Sequence, residues 1–319
     1  MNDLTAEFSS DVLSAVLQSV RFRGAVMCKS TLRSPWAFAV EGREFASFHH
    51  VVRGSGWLEV EGIPGQRPLV EGDLVILPHG NPHIVRDSPA TPATRLDQLI
   101  AQSHMDGLRN LEAGGRGPET VLVCGGFHTE HRTSNPLMAA LPPVLHLQGK
   151  QGGWLSTVLA FLAEESGSGA PGADAMISRL ADVAFIQAVR SYFASAEAHR
   201  AGMAVALEDP RIGAVLSAIH RRPEGPWTLG SLAKIAGMSR TAFASRFRAL
   251  MGQAPLQYVA DRRMEKARQL LRETTATIPE IAEWVGYEST VAFQRAFKRH
   301  TEVAPAAFRR SAKTGRVGA

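Results

Sequence analysis

Two groups of side chains in this 319-residue sequence have types and spacings that can do chemistry. The first group suits hydrogen-bonded reading of a polymer edge. Gln294 and Arg295 are adjacent, Thr290 and Val291 precede them by one helical turn, and Lys298 and Arg299 follow by another. An arginine can grip guanine through two parallel hydrogen bonds, a glutamine can do the same to adenine, and Thr or Val methyls suit the thymine methyl. About 50 residues earlier, Arg240, Thr241, Ala244, Ser245 and Arg248 occupy a comparable stretch. The second group is metal- or redox-active: His49, His50, His79, His83, His128 and His131, with Cys28 and Cys124. Imidazole is a common transition-metal ligand, and a thiol can be oxidised reversibly.

The first group sits on an internal repeat. Phe243/Phe293, Phe247/Phe297 and Pro255/Pro305 share an offset of 50 residues, and only the turn after Gly237 and Gly286 differs, by one residue. In the second copy, Thr277-Ile278-Pro279-Glu280 has the pattern of a capping box, so a helix starts there. Ile281, Ala282, Trp284 and Val285 give that helix an apolar face. Gly286 supplies a left-handed stop. Ser289 caps the next helix, whose Phe293 and Phe297 lie four apart and face inward. The first copy follows suit, with Thr228 as cap, Leu232, Ala233, Ile235 and Ala236 as apolar face, Gly237 as turn and Ser239 as the new cap. Between the copies, Leu256, Val259, Ala260, Met264, Ala267, Leu270 and Leu271 form one stripe of a single helix. About 17 residues make a rod of roughly 26 Å. Successive major grooves on one face of DNA are about 34 Å apart, so a rod of this kind could present two helices to adjacent groove segments.

Two tandem helix-turn-helix units with Gly286-Tyr287, Phe293-Gln294-Arg295-Ala296-Phe297-Lys298, Pro305 and Phe308-Arg309 resemble the DNA-binding domain of the AraC/XylS family of bacterial transcription regulators. The resemblance covers about 90 residues. It implies double-stranded DNA as a partner and, for an activator, RNA polymerase as another. The base-contact candidates are Arg240, Thr241, Ala244 and Ser245 in the first unit and Thr290, Val291, Gln294 and Arg295 in the second. Ser239, Arg248, Ser289, Lys298 and Arg299 are candidates for phosphate contact, the serines through the helix starts they cap. Charge agrees: of the net +5, residues from Arg211 onward carry 19 Lys/Arg against 8 Asp/Glu, while residues 1–210 carry 16 against 22. A basic excess confined to the repeat is the footprint of phosphate binding.

The N-terminal half reads differently. A short helix is expected over about 4–19, then short β segments broken by Gly and Pro from Arg21 to Leu147. His49 to Gly62 reads as one strand, with others at Leu69–Val70, Asp73–Leu77, His83–Arg86 and Val121–Cys124. The stretch Gly72-Asp73-Leu74-Val75-Ile76-Leu77-Pro78-His79-Gly80-Asn81-Pro82-His83 resembles the second motif of the cupin barrel, and His49-His50 with Gly54 and Gly56 resembles a degraded first motif. AraC-type regulators carry such sensor domains. Metal cupins use two histidines one residue apart plus a Glu. Here the histidines are adjacent, hence on opposite faces of a strand, and no Glu falls among Val51–Ser55. A divalent metal would rest on His83 with His49 or His50. A redox reading would rest on Cys28, beside Lys29, and Cys124, within an apolar strand. With two cysteines in the chain, a disulfide framework is not the organising device, and a reducing cytoplasm is expected.

Apolar stripes at helical spacing follow: Trp154, Leu155, Val158, Leu159, Phe161 and Leu162, then Met176, Ile177, Leu180, Val183, Ala184, Ile186, Val189 and Phe193. The resemblance implies that these helices pair two subunits; packing on their own barrel is the alternative. Residues 195–210 read as a mobile connector, and Asp209-Pro210 opens a further helix. The expectation is therefore an α+β two-domain chain. Residues 1–200 form a cupin-like β-barrel (about 21–147) with dimerisation helices, 201–210 a linker, and 211–312 an all-α domain with two helix-turn-helix units. No run of about 18 apolar residues is present, so no membrane span is expected. The function expected is sequence-specific transcription regulation, with activation in answer to a small molecule or stress signal, and no enzymatic role. A metal-dependent cupin enzyme tethered to DNA and an architectural DNA-binding protein are the alternatives.

Overall fold

Burial alternates along Ser55–Val60 and His83–Arg86, as a strand with one face on a core requires, while residues 46–51 and Leu74–Leu77 are buried on both faces. The computed structural model describes residues 12–19, 22–43, 45–102, 104–106, 110–129, 136–149, 154–166, 168–195 and 202–314. These fall into two units, one spanning Val20–Ala198 and the other joining the N-terminal helix to the chain after His199.

In the first unit a seven-stranded sheet runs in the order β12 (Leu145–Leu147), β6 (Leu74–Leu77), β3 (Ala46–Arg53), β11 (Glu119–Thr129), β1 (Phe22–Arg33), β10 (Asn110–Gly114), β9 (His104–Asp106). A five-stranded sheet runs β5 (Arg67–Val70), β4 (Ser55–Val60), β7 (His83–Arg86), β2 (Ala37–Val40), β8 (Thr94–Arg95). Leu32, Val51, Val75, Leu77 and Leu122 from one sheet and Phe38, Val40, Leu58, Leu69 and Val85 from the other form a single buried core. The sheets therefore face each other. The expected strand from His49 to Gly62 is in fact two strands in different sheets. The break is at Gly54, whose φ of 86° and close approach to the Glu119 carbonyl, 2.7 Å from where a Cβ would stand, admit only glycine.

Helices α4 (Trp154–Glu165) and α5 (Ala173–Phe193) follow the barrel. The stripe of α5 packs on the seven-stranded sheet, where Phe185 meets Phe127 at 4.9 Å between ring centres and Phe127 meets Phe48 at 5.0 Å. The opposite face of the pair stays apolar: Trp154, Phe161 and Met176 are 51%, 53% and 50% exposed.

The second unit is helical. Helix α7 (Pro210–Arg221) is capped by Asp209, whose carboxylate accepts from the Arg211 and Ile212 amides. α8 (Leu229–Ile235) and α9 (Arg240–Met251) form the first repeat, α11 (Ile278–Trp284) and α12 (Thr290–Thr301) the second, and α10 (Pro255–Glu273) joins them; α13 (Pro305–Thr314) closes the domain. Two cores result. Phe243, Phe247, Tyr258 and Val259 pack with α7 and α8, while Met264, Ala267, Leu271, Phe293 and Phe297 pack with α11. Each end of α10 thus belongs to a different core. Its expected stripe is corrected at Leu256, which is 46% exposed, and at Tyr258, which is fully buried.

The boundaries differ from the expected ones in two places. Helix α1 (Val12–Ser19) belongs with the helical unit: Val16 is buried, and Val12 reaches the backbone of α7 at Gly213. The expected linker at 201–210 contains helix α6 (Gly202–Glu208), with Met203, Ala204 and Ala206 buried. Gly202 allows this helix to lie against the Leu250 carbonyl at the end of α9, which a Cβ would approach to 2.3 Å. The small apolar residues that made the segment look featureless are what let it pack closely.

Candidate functional site

The helix starts that aim the first group of side chains are built by local hydrogen bonds. The Thr228 hydroxyl accepts from the Ser231 amide and Thr277 from the Glu280 amide, each within a reciprocal capping box. Ser239 and Ser289 accept from the Ala242 and Ala292 amides at 3.3 and 3.1 Å. These serines are caps first; their hydroxyl hydrogens remain available to a phosphate oxygen. With Phe243, Phe247, Phe293 and Phe297 fully buried, the opposite faces of α9 and α12 point outward. Thr241, Ser245 and Arg248 are exposed on α9, and Val291, Gln294, Arg295, Lys298 and Arg299 on α12; Ala244 and Thr290 are half-buried. Arg240 is exposed, but its guanidinium lies against α8, 3.2 Å from where a Gly230 Cβ would stand.

The two units are joined by more than α10. Arg263, midway along it, donates to the Pro223 and Gly225 carbonyls at 2.9 and 2.7 Å and lies over the Tyr287 ring at 5.6 Å. Lys266 pairs with Glu224 at 2.8 Å. The loop after α7 is thereby fastened to the turn between α11 and α12. This second fastening was not apparent from sequence, since Arg263 read as one charge among many on an amphipathic helix.

The second group meets inside the barrel. Cys28 on β1 stands directly opposite Cys124 on β11, and Cys124 stands opposite His49 on β3. The Cys28 Sγ is 3.3 Å from the Ser30 hydroxyl. The His49 Nδ1 is 3.0 Å from the Cys124 Sγ, and its Nε2 is 2.8 Å from the His83 Nε2. His83 in turn approaches the Asn81 carbonyl at 2.8 Å through Nδ1. Cys28, Phe38, Arg43, Phe45, His49 and Cys124 line a cavity of about 180 Å³. Burial holds the His49 imidazole well below its usual range, helped by His83, and pushes His83 down to about 4. Both rings are neutral at neutral pH. The neighbouring Cys124 thiol, with the Ser30 hydroxyl, lowers the Cys28 thiol to about 7 against the opposing effect of burial. Cys124 is raised, by the Cys28 thiol beside it and by burial.

Of the histidines proposed for a metal, His49 and His83 come together and His50 does not. His50 lies on the other face of β3, its Nδ1 3.1 Å from the Asp73 carbonyl. His79 instead pairs with the Leu141 carbonyl at 2.9 Å. His131 and the His128 side chain lie outside the described residues. Among the described residues no group of three His, Cys, Asp or Glu side chains is placed to hold a metal. The two available Nε2 atoms face each other at hydrogen-bond distance, and the other His49 nitrogen faces sulfur. Among the described residues no third ligand joins the His49 and His83 Nε2 atoms, so this donor set falls short of the three or four protein ligands a divalent cation takes.

Comparison with known proteins places these geometries. A cupin model matches residues 11–194, and a helix-turn-helix domain model matches residues 232–311. The HTH-type transcriptional regulator AlkR of Acinetobacter baylyi is 31% identical over 306 residues, covering 94% of this chain and 99% of that protein. This chain belongs to the AraC-like HTH-type transcription regulators. Another relative, the RCS-specific HTH-type transcriptional activator RclR of Escherichia coli, is 31% identical, covering 94% of this chain and 97% of its own length. An AraC-like transcription regulator of Streptomyces lividans is 30% identical over similar shares. As an AraC-like regulator the protein binds DNA through its tandem helix-turn-helix domain and regulates transcription. No helix among its described residues is long and apolar enough to cross a membrane.

Within this AraC-like chain, two contributors escaped the sequence reading. Arg246 on α9 donates through Nε to Asp209 at 2.6 Å, tying the first recognition helix to the cap of α7. Asp209 itself was legible as a helix start, but not as a partner 37 residues away. The Asn81 carbonyl that orients His83 carries no side-chain signal at all.

Proposed function

We propose that this AraC-like regulator acts in the cytoplasm as a homodimeric activator, and that the Cys28–Cys124 pair in its barrel is an oxidant-sensing switch. The observation that carries the reading is the cross-strand register: two free thiols directly opposite each other, one titrating near 7, in a cavity that a small molecule can enter. Directly opposed residues on antiparallel strands lie within the separation a disulfide spans. The name of RclR as an activator supports activation and contact with RNA polymerase. The exposed stripe of Trp154, Phe161 and Met176 supports subunit pairing through α4 and α5. The cupin barrel serves as the sensor of this regulator. A second reading is favoured by the apolar wall of the same cavity, in which an uncharged small effector binds without oxidation.

In the DNA complex, Gln294 and Arg295 are the hydrogen-bonding readers of the second unit, with Thr290 and Val291 beside thymine methyls. Thr241, Ala244 and Ser245 offer the first unit shape and weaker polar contact. Arg240 moves from base to phosphate contact, because its guanidinium rests on α8, the helix that crosses the sugar–phosphate backbone in this motif. Arg248, Lys298, Arg299 and the capped starts at Ser239 and Ser289 hold phosphates. The experiment is genome-wide footprinting of wild type and Cys28→Ser with and without peroxide. An oxidant-dependent footprint lost in the variant supports the switch. Identical footprints in all four samples reject it in favour of the bound effector.

A further inference from the structure

One backbone carbonyl, with both imidazoles neutral, orders the hydrogens from His83 through His49 to Cys124. The Asn81 carbonyl can only accept, so the His83 Nδ1 beside it carries a proton. His83 is neutral, so its Nε2 is bare. The His49 Nε2, 2.8 Å away, therefore donates into it. His49 is neutral too, so its Nδ1 is a bare acceptor, and what faces it at 3.0 Å is the Cys124 thiol. The relay runs in one direction: Cys124 to His49, His49 to His83, His83 to the chain.

The geometry points to a division of labour between the two thiols: Cys28 is the sulfur an oxidant attacks, and Cys124 closes the disulfide by giving its proton to His49, a base that His83 holds in the accepting tautomer. This rests on the oxidant-sensing reading above and assigns the steps within it. Cys28 borders the cavity, half-buried, with the Ser30 hydroxyl 3.3 Å away to stabilise its thiolate. Cys124 is buried, and its raised pKa keeps it protonated. The charged and titratable groups around His49 are Cys28 on β1, Cys124 on β11, His83 on β7 and Arg43 after β2. Burial and His83 both oppose a resting imidazolium at His49, so the proton passes through His49 without staying there.

With a hydroperoxide as oxidant, the Cys28 thiolate attacks the terminal peroxide oxygen. An S–O bond forms, the O–O bond breaks, and its electron pair leaves on the alkoxide or hydroxide, which takes a proton from water. Sulfur loses two electrons and the peroxide gains them. The Cys124 sulfur then attacks the Cys28 sulfenic acid. The S–S bond forms, and the S–O bond breaks with its pair on the departing hydroxide. The Cys124 proton moves to the His49 Nδ1 and on to that hydroxide, so water leaves.

The test uses the full chain, hydrogen peroxide and dimedone, with thiols and adducts followed by mass spectrometry. Wild type should form the Cys28–Cys124 disulfide with little adduct, and Cys124→Ser should accumulate the adduct on Cys28. In His49→Gln, closure at pH 7 should slow about a hundredfold relative to oxidation of Cys28, the scale of a lost general base. Its rate should climb about tenfold per pH unit between about pH 6 and 8, because the thiolate must then form unaided, whereas the wild-type profile is flat. His83→Gln, which touches neither sulfur, should move both readouts the same way and decides the matter should His49→Gln fail to fold. Wild-type closure with a flat profile in these variants overturns the relay, as does a dimedone adduct on Cys124 in Cys28→Ser. Wild-type protein that keeps both thiols under peroxide removes the oxidant reading itself.

Discussion

The two turn glycines of the repeat should respond unequally to alanine. Gly237 and Gly286 both adopt left-handed backbone, with φ of 61° and 81°. That conformation costs an L-residue about 1–2 kcal/mol. At Gly237 nothing lies within 4 Å of an added Cβ, so Gly237→Ala should lose about 1–2 kcal/mol and no more. At Gly286 the Cβ would stand 2.4 Å from the Glu224 carbonyl oxygen and 2.9 Å from the Glu224 Cα. These are backbone atoms and cannot swing aside. Overpacking of this kind adds about 1–3 kcal/mol, so Gly286→Ala should lose about 2–5 kcal/mol in all. The added strain falls on the loop that Arg263 and Lys266 fasten, so DNA affinity should drop with stability in this variant. Native-state hydrogen exchange of peptides from α9 and α12 in the full chain would measure each loss, with binding to one footprinted site beside it. Equal losses at the two glycines would refute the reasoning, because the shared backbone conformation would then account for everything.

Other outcomes are equally specific. Arg295→Ala should weaken binding to the specific site by about 1–3 kcal/mol and relax preference at one position, judged by affinity across single-base variants; uniform weakening would assign Arg295 to phosphate. Glu302 occupies, with φ of 66°, the left-handed cap that Gly252 occupies in the first repeat. Glu302→Gly relieves about 1–2 kcal/mol of strain, offset by about 0.5–1 from the freer unfolded chain, so a gain of up to about 1.5 kcal/mol is expected by hydrogen exchange at α12. Alkylation of Cys28 by iodoacetamide should rise through pH 7 and level off above it, because a lowered thiol pKa means thiolate from near neutrality upward. A rise centred near pH 9 would show an unperturbed thiol.

The helical unit was largely legible because its determinants are local. Caps at Thr228, Ser239, Thr277 and Ser289 act over three residues, and the Phe pairs over four. Helix α6 escaped because six successive apolar residues before Glu208 carry no periodic contrast, and its packing depends on a glycine contact with distant Leu250. In the barrel, the cysteines are 96 residues apart in sequence, and only strand register makes them neighbours. That same register chose His49 over His50, which alternation on a strand separates but cannot rank. The hairpin break at Gly54 was hidden because the reason for it, the close approach of the Glu119 carbonyl, lies on another strand.

The docking of α1 on α7 has a consequence for how signals can travel. The chain leaves the helical unit after Ser19 and returns at His199, so the barrel is an insertion held at both of its ends. Each attachment acts as a tether for the other, and a helix of eight residues that would not hold as a free peptide is kept at its site by a local concentration in the millimolar range. Loosening Val16 would release α1 from the helical unit without touching α9, α12 or the barrel cavity.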